Sequence, residues 1–485
     1  MSHYEPVIGL EVHCQLKTKT KIFSTDPYRY GGAANTQAGP VTLGLPGALP
    51  VLNESVMEMA LTAALALDCE INRHTRFDRK HYFYPDLPKG YQISQYDRPY
   101  ATGGKVAFRK KDAEQDTTIR IHRIHMEEDA GKLLHGQGGT EAVSFVDLNR
   151  AGVPLLEIVS EPDLRSSEDA YYYLQTLRSI LRAVEVTDGN MEMGSLRCDA
   201  NVSVRKGPDA PFGTRVEIKN LNSFKAVRAA IDYQIEEQIA LIESGQKIVQ
   251  STVLWDADKR ETRLMRTKEN AEDYRYFPDP DLPEFVIEED LIEKVRKDMP
   301  ELPAQKRQRY ASEYGLPEYD ADVLTREKET SAYYEEVVRI TEDPKKSSNW
   351  VKDEVLGIVN KLDIEIEDFF VNPDRLGKII QYLNEKKFTQ RIAKQVFEHC
   401  YEEKMEIDDI IEKYDYKPVD TSDLPAIVEM VFADNPEQVN DIMNGKDRVK
   451  GFLVGQIMKA TRGQAPPAEV NRLIDETIEK MKAAN

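Results

Sequence analysis

The chain has only four cysteines, Cys14, Cys69, Cys198 and Cys400, scattered without a CxxC pair. This spacing excludes a zinc knuckle and a disulfide framework, and it fits a reducing cytosol, so a cytoplasmic location is expected. Long apolar runs are also missing. No stretch reaches about 18 apolar residues, and mean hydropathy is −0.55, so no membrane span is expected. Met1-Ser2-His3-Tyr4-Glu5 leads straight into an apolar alternation, with no basic n-region or apolar h-region, so no secretory leader is expected. There is no GxxxxGK(S/T) loop, no GxGxxG after a strand, no HExxH and no GxSxG. An ATP site of P-loop or protein-kinase type is thereby excluded. The cluster Gly136-Gln137-Gly138-Gly139 reads as a hairpin rather than a phosphate cradle. Basic residues are outnumbered: 65 Lys and Arg against 85 Asp and Glu give a formal charge of −20. This balance excludes non-specific coating of nucleic acid but leaves room for a local basic patch.

At 485 residues, about two or three domains and a large core are expected. Residues 1–290 are rich in short strand-like runs broken by Gly and Pro, such as 41–50 and 103–106, with helical stretches near 54–67, 167–184 and 227–244. Ser166 or Ser167 is the expected N-cap of the second helix. Beyond Pro283 the period becomes 3.6 and strand signals vanish. The predicted class is α+β: a mixed-sheet domain (1–290), an all-α domain (291–410) and a small all-α tail (411–485).

The opening strand carries the first chemical signal. In Val7–Leu16, Ile8, Leu10, Val12, Cys14 and Leu16 share one face, while Glu11, His13 and Gln15 share the other. A carboxylate and an imidazole two residues apart stand roughly 7 Å apart and can converge on one ion. Similar logic recurs. Asp199, Asn201 and Ser203 lie opposite Cys198, Ala200 and Val202, and Glu217 sits between Arg215 and Lys219. Glu157 is embedded in the apolar run Leu155–Val159, where an unpaired carboxylate would be costly. His125-Met126-Glu127-Glu128-Asp129 packs three carboxylates, and its pattern does not tell which of them faces a site. Each acid taken alone reads as a solvated strand face. Together they form an oxygen-rich set with one imidazole, suited to Mg²⁺ or Mn²⁺.

Two aromatic and basic runs, Phe77–Gln92 and Asp273–Asp281, suit nucleotide or RNA-end binding, or else a packed Tyr/Pro loop. In the tail, five cations (Lys446, Arg448, Lys450, Lys459 and Arg462) face one acid between Lys446 and Gly463, a local charge of +4. Such a patch grips phosphates or is an ordinary solvated face.

These motifs carry a resemblance. Ile8–His13, Leu45-Pro46-Gly47, Phe77–Lys80, His125–Lys132, Asp147–Arg150, Glu157–Asp163, Gly194–Asn201, Lys219–Phe224, Asp273–Pro278 and Gly451–Lys459 resemble the B subunit of the aspartyl/glutamyl-tRNA(Asn/Gln) amidotransferase, essentially end to end. The resemblance implies a cradle-shaped N-terminal domain, a helical domain and a tail that meets tRNA. It implies ATP-dependent phosphorylation of the side-chain carboxylate of Glu-tRNA(Gln) or Asp-tRNA(Asn), followed by attack of ammonia. The expected partners are a glutaminase subunit, whose Ser-Ser-Lys signature is absent from this chain, a small third subunit that staples the two together, and the misacylated tRNA. The expected cofactors are ATP and Mg²⁺. By motif match, Glu11, His13 and Glu128 are expected to hold the catalytic Mg²⁺, with Glu157, Asp199 and Glu217 on the same ion or a second one. Lys80 and Lys89 are expected to neutralise phosphate or substrate carboxylate, and Arg79, Lys80 and Tyr82 to contact ATP. The five tail cations are expected on tRNA. One departure is Met193, where the family often carries a second Glu. Two rival readings are a metal-dependent phosphohydrolase with an RNA-binding tail and a non-catalytic RNA-binding scaffold.

Overall fold

The computed structural model describes residues 4–111, 113–135, 143–267, 271–416, 423–443, 449–461 and 465–484. It divides into two compact units, Met1–Pro303 and Ala304–Asn485. Gly136–Gly139 and the tail cations Lys446, Arg448 and Arg462 lie outside the described residues.

The first unit is built on a ten-stranded sheet. Its middle strand is the opening alternation, Glu5–Gln15, paired antiparallel with Pro154–Ser160 on one side and Leu196–Arg205 on the other. Thr117–Glu128 extends the sheet beyond Pro154–Ser160, while Val216–Leu221, Ser251–Asp256 and Glu261–Thr267 extend it beyond Leu196–Arg205. The Val216–Leu221 and Ser251–Asp256 strands run parallel. A parallel pair needs a crossover, and the 20-residue helix Phe224–Glu243 supplies it.

Alternation sorts the two faces of the sheet. Ile8, Val12, Cys14, Leu156, Ile158, Ala200, Val202 and Ile218 are fully buried. They share one core with Tyr173, Leu177 and Leu181 of helix Ser167–Ala183 and with Val227, Ala230 and Ile231 of Phe224–Glu243. Each large apolar side chain buried there contributes about 1.5–3 kcal/mol. The hydroxyls of Ser166 and Ser223 cap these helices, accepting from the Asp169 and Ala226 N–H groups. The opposite face of the central strands is therefore free to carry polar groups.

One expectation fails locally. Residues 41–50 form turns rather than a strand, because Gly44 and Gly47 adopt φ of +66° and +82° between Pro40, Pro46 and Pro50. The helix Glu289–Asp298 belongs to the first unit, since Ile292 and Val295 join the sheet's core. The change of texture near residue 290 marks a change of secondary structure, and the compact unit closes thirteen residues later, at Pro303.

The second unit is helical, with no strand among its described residues. It has two cores. One gathers Tyr310, Tyr334, Trp350, Ile379 and Phe397. The other gathers Val428, Val439, Leu453, Ile457, Val470 and Ile474 from the last four helices. No described helix is long and apolar enough to cross a membrane.

Candidate functional site

Strand register assembles the site. Glu11 stands opposite Asp199, and His13 opposite both Glu157 and Arg197. Glu157 in turn faces His125, and Asn201 faces Glu217. Directly paired residues of an antiparallel ladder share a face. Five neighbouring strands thus bring their polar residues to one side of the sheet, in a cleft of about 300 Å³ that Lys80, Arg123, Arg215, Tyr274 and Tyr276 also line.

Two groups within the cleft have metal-ligand geometry. His13, Glu127 and Glu157 form one, Glu11, Asp199 and Glu217 the other, each with ligand atoms within 4.8 Å of one another. In the first group, His13 Nε2 lies 3.3 Å from Glu157 Oε2 and 3.6 Å from Glu127 Oε1. His125 Nε2 approaches the same carboxylates, at 3.3 Å from Glu157 and 3.8 Å from Glu127. In the second, Lys219 Nζ lies 2.5 Å from Asp199 and 2.8 Å from Glu217. Asn201 donates to Glu11 (2.9 Å), and Thr252 Oγ1 donates to Glu217 (2.7 Å).

Without a cation the groups neutralise one another. Burial alone would push both imidazoles down, but Glu157 and Glu127 outweigh it, raising His13 and lifting His125 to about 9. Glu157, despite its burial, is held well below the usual carboxylate range by His125 and His13. Glu11 is raised by burial and by the charges of Glu157, Glu217 and Asp199. For Lys219, Asp199 and Glu217 overcome the cost of burial and raise the ammonium.

Several expected residues stand elsewhere. Glu128 is not in either group. Its oxygens accept from Lys89 Nζ at 2.5 and 2.6 Å and from the Ile93 N–H at 2.9 Å, and Glu127 takes the place in the cleft. The reason is a register shift in the ladder between Thr117–Glu128 and Pro154–Ser160, where Ser160 pairs with Ile121 but Val159 with Arg123. The bulge reverses the alternation, so Ile119 and Ile121 point to the core before it, and Ile124 and Met126 after it. Arg123, His125 and Glu127 then face the cleft. The two apolar residues flanking His125 were the available signal for this parity. Lys89 is thus neutralised by Glu128. Arg79 is held by Asp279 (2.9 Å) and Asp281 (2.8 Å) and lies over the Tyr91 ring, tying its strand to residues 277–281. Tyr82 donates to Gln92 (3.1 Å). Lys80 lines the cleft with its ammonium 4.9 Å from the Tyr274 ring centre. In the tail, Lys450 pairs with Asp475, and Lys459 is exposed. Met193 is exposed and outside the cleft lining.

Comparison with known proteins gives this geometry a lineage. The model of the GatB/GatE catalytic domain matches residues 6–293, and that of a GatB domain matches residues 332–478. A Leptospira biflexa protein named as the B subunit of aspartyl/glutamyl-tRNA(Asn/Gln) amidotransferase is 55% identical over 472 residues, covering 97% of both chains. Proteins of the same name from Alkalilimnicola ehrlichii (51% identical, 98% of this chain and 99% of the relative) and Carboxydothermus hydrogenoformans (48%, 99% and 100%) match as fully. The chain belongs to the GatB/GatE family, that of the B subunit of the aspartyl/glutamyl-tRNA(Asn/Gln) amidotransferase.

Proposed function

We propose that this protein is the ATP-dependent kinase and transamidase subunit of a glutamine-dependent tRNA amidotransferase, a ligase that forms carbon–nitrogen bonds. Its substrates are Glu-tRNA(Gln) or Asp-tRNA(Asn). The γ-phosphoryl group of ATP passes to the side-chain carboxylate of the esterified amino acid, giving an acyl phosphate and ADP. Ammonia then attacks the acyl carbon and phosphate leaves, producing Gln-tRNA(Gln) or Asn-tRNA(Asn). Ammonia comes from glutamine hydrolysed in a partner glutaminase, and a third, small polypeptide completes a cytoplasmic heterotrimer. The observation that carries this reading is the meeting of two carboxylate-rich groups on one sheet face of a chain in this family.

A carboxylate is a poor electrophile, and phosphoryl transfer to it needs charge neutralisation and alignment more than covalent help. The donor sets fit a hard divalent cation: two carboxylates with an imidazole in one group, three carboxylates in the other. Mg²⁺ held by His13, Glu127 and Glu157, with Glu11, Asp199 and Glu217 for a second ion, would supply charge neutralisation of the transferring phosphoryl group. The chain's own residues do the rest. His125 holds the Glu157 and Glu127 carboxylates in place, as outer partners of metal ligands do. Lys80, Arg123 and Arg215 offer cationic contacts to polyphosphate along the cleft wall. Tyr274 and Tyr276 present rings beside it. Strand placement holds these groups rigidly, so little reorganisation is needed when substrate arrives.

The assembled trimer given each misacylated tRNA, ATP and glutamine tests the reading. Product amide should form with at least one tRNA and require ATP, and its absence with both would sink the proposal. Two neighbouring acids sharpen the test. Glu127→Gln should weaken Mn²⁺ binding by about 10–100-fold, whereas Glu128→Gln should leave it unchanged and lower thermal stability, because Lys89 is stranded in a buried pair. Equal losses of Mn²⁺ affinity in both variants would reverse the assignment. For the tail, deleting residues 420–485 should weaken tRNA binding by about tenfold or more in a filter-binding assay, with a shallower salt dependence. Of the five cations expected on tRNA, Lys459 and Lys450 are described; Lys459 is exposed, and the surface pair of Lys450 with Asp475 is worth at most about 1 kcal/mol. An unchanged Kd for tRNA would refute the tail's role.

A further inference from the structure

We propose that Lys219 is a resident side-chain cation of the Glu11–Asp199–Glu217 group, holding the place of a divalent ion and swinging into the cleft when such an ion enters. The inference rests on the reading of the cleft as a cation-dependent phosphoryl-transfer site.

The two acidic groups share the Glu5–Gln15 strand but are balanced differently. The first is met by imidazoles, which become ligands once they lose a proton. The second is met by an ammonium in contact with two of its three carboxylates, at 2.5 and 2.8 Å. An ammonium has three donors and no acceptor. It cannot join the ligands of a metal ion and repels one brought to the same oxygens. Occupation by Lys219 and by a divalent ion therefore exclude each other.

The backbone presents Lys219 for this role. The ladder between Leu196–Arg205 and Val216–Leu221 shifts register between Cys198 and Ala200, so that one extra residue is accommodated opposite Asp199. Asn220 absorbs the bulge at φ +66° and donates to the Trp255 carbonyl at 3.0 Å. Ile218 and Leu221 stay in the core, and Lys219 joins Glu217 on the cleft face. Its side chain keeps 28% of its exposure and has a flexible four-carbon stem. The exit lies into the same cleft, which Arg215 and Lys80 also line. An ion entering the second group thus delivers an ammonium to the space where polyphosphate would lie. Polyphosphate and the second ion should each favour the other's binding, as linkage requires.

Full-length protein titrated with Mn²⁺ alone, with free Mn²⁺ read by electron paramagnetic resonance, tests this. Wild type should take one equivalent firmly and a second at least about tenfold more weakly. Lys219→Met should tighten the second equivalent by about tenfold or more, and Lys219→Arg, which keeps the charge, should retain the wild-type isotherm. Thermal melting in EDTA checks that the variants fold, with Lys219→Gln in hand should the Met variant not. A second equivalent that is unchanged or weaker in both neutral variants overturns the inference. Identical isotherms for wild type and His13→Ala would instead overturn the metal reading of the first group. In that case a gain in Lys219→Met still supports the resident cation, and no gain overturns it.

Discussion

His13→Ala in the assembled enzyme is expected to lower ATP-dependent amidation by about a thousandfold or more, while the partner glutaminase keeps hydrolysing glutamine at its basal rate. The size follows from what His13 touches. Its Nε2 stands between Glu157 and Glu127, so removing it deletes one donor of the first group and leaves the two carboxylates less well balanced. Loss of a single preorganised electrostatic contact in a transition state costs about 10²–10³ in kcat, and here a positioning contact is lost as well. Glu11→Ala should act in the same direction through the second group. The measurement is product amide on tRNA against glutamate released. Undiminished formation of Gln-tRNA or Asn-tRNA by His13→Ala would sink the metal assignment. Loss of glutaminase in parallel would point instead to disrupted assembly.

The second large effect is on stability against pH in metal-free protein. The free imidazole titrates near 6.5, and in the folded chain His125 is raised to about 9 and His13 is raised as well. Raised histidines stabilise the fold fully below the unfolded value, and that contribution disappears as pH climbs through the folded value. Glu157 and Glu127, both lowered, act at the other end: their contribution is present above about 4.5 and is lost as pH falls below it. Melting in EDTA should therefore be best between about pH 5 and 6.5, with on the order of 2–3 kcal/mol lost from His125 alone by pH 9. Mn²⁺ should reverse the alkaline loss, because the cation replaces the departing protons and its affinity rises as the imidazoles become neutral. The stabilisation by Mn²⁺ should thus grow from pH 6.5 to 9. A melting temperature flat over that range in EDTA, or a Mn²⁺ shift independent of pH, would contradict the imidazole–carboxylate balance.

Taken alone, the sequence determined a good deal. Alternation is a local property, so Glu5–Gln15 and Leu196–Arg205 declared which of their residues face water and which face the core. The helices at 54, 167 and 224 start within a few residues of where their caps and apolar spacing put them. Glu11, His13, Glu157, Asp199 and Glu217 were legible as a set because each interrupts or alternates with apolar strand residues. Their division into two groups was not legible, since register between strands as distant as residues 13 and 157 is a long-range property. The choice between Glu127 and Glu128 was also left to the tertiary structure. A bulge beside Ser160 reverses the parity of the neighbouring strand, and the run of acids Glu127–Asp129 does not record the pairing that causes it; only the apolar residues flanking His125 hint at the result. Arg79 and Lys89 make the same point from the other side. As cations in an aromatic run they suit a phosphate, but Asp279 and Glu128, close only in the folded chain, had already claimed them. Sequence named the residues able to hold a cation, and strand pairing chose among them, because side chains two residues apart share a face only while the ladder keeps its count.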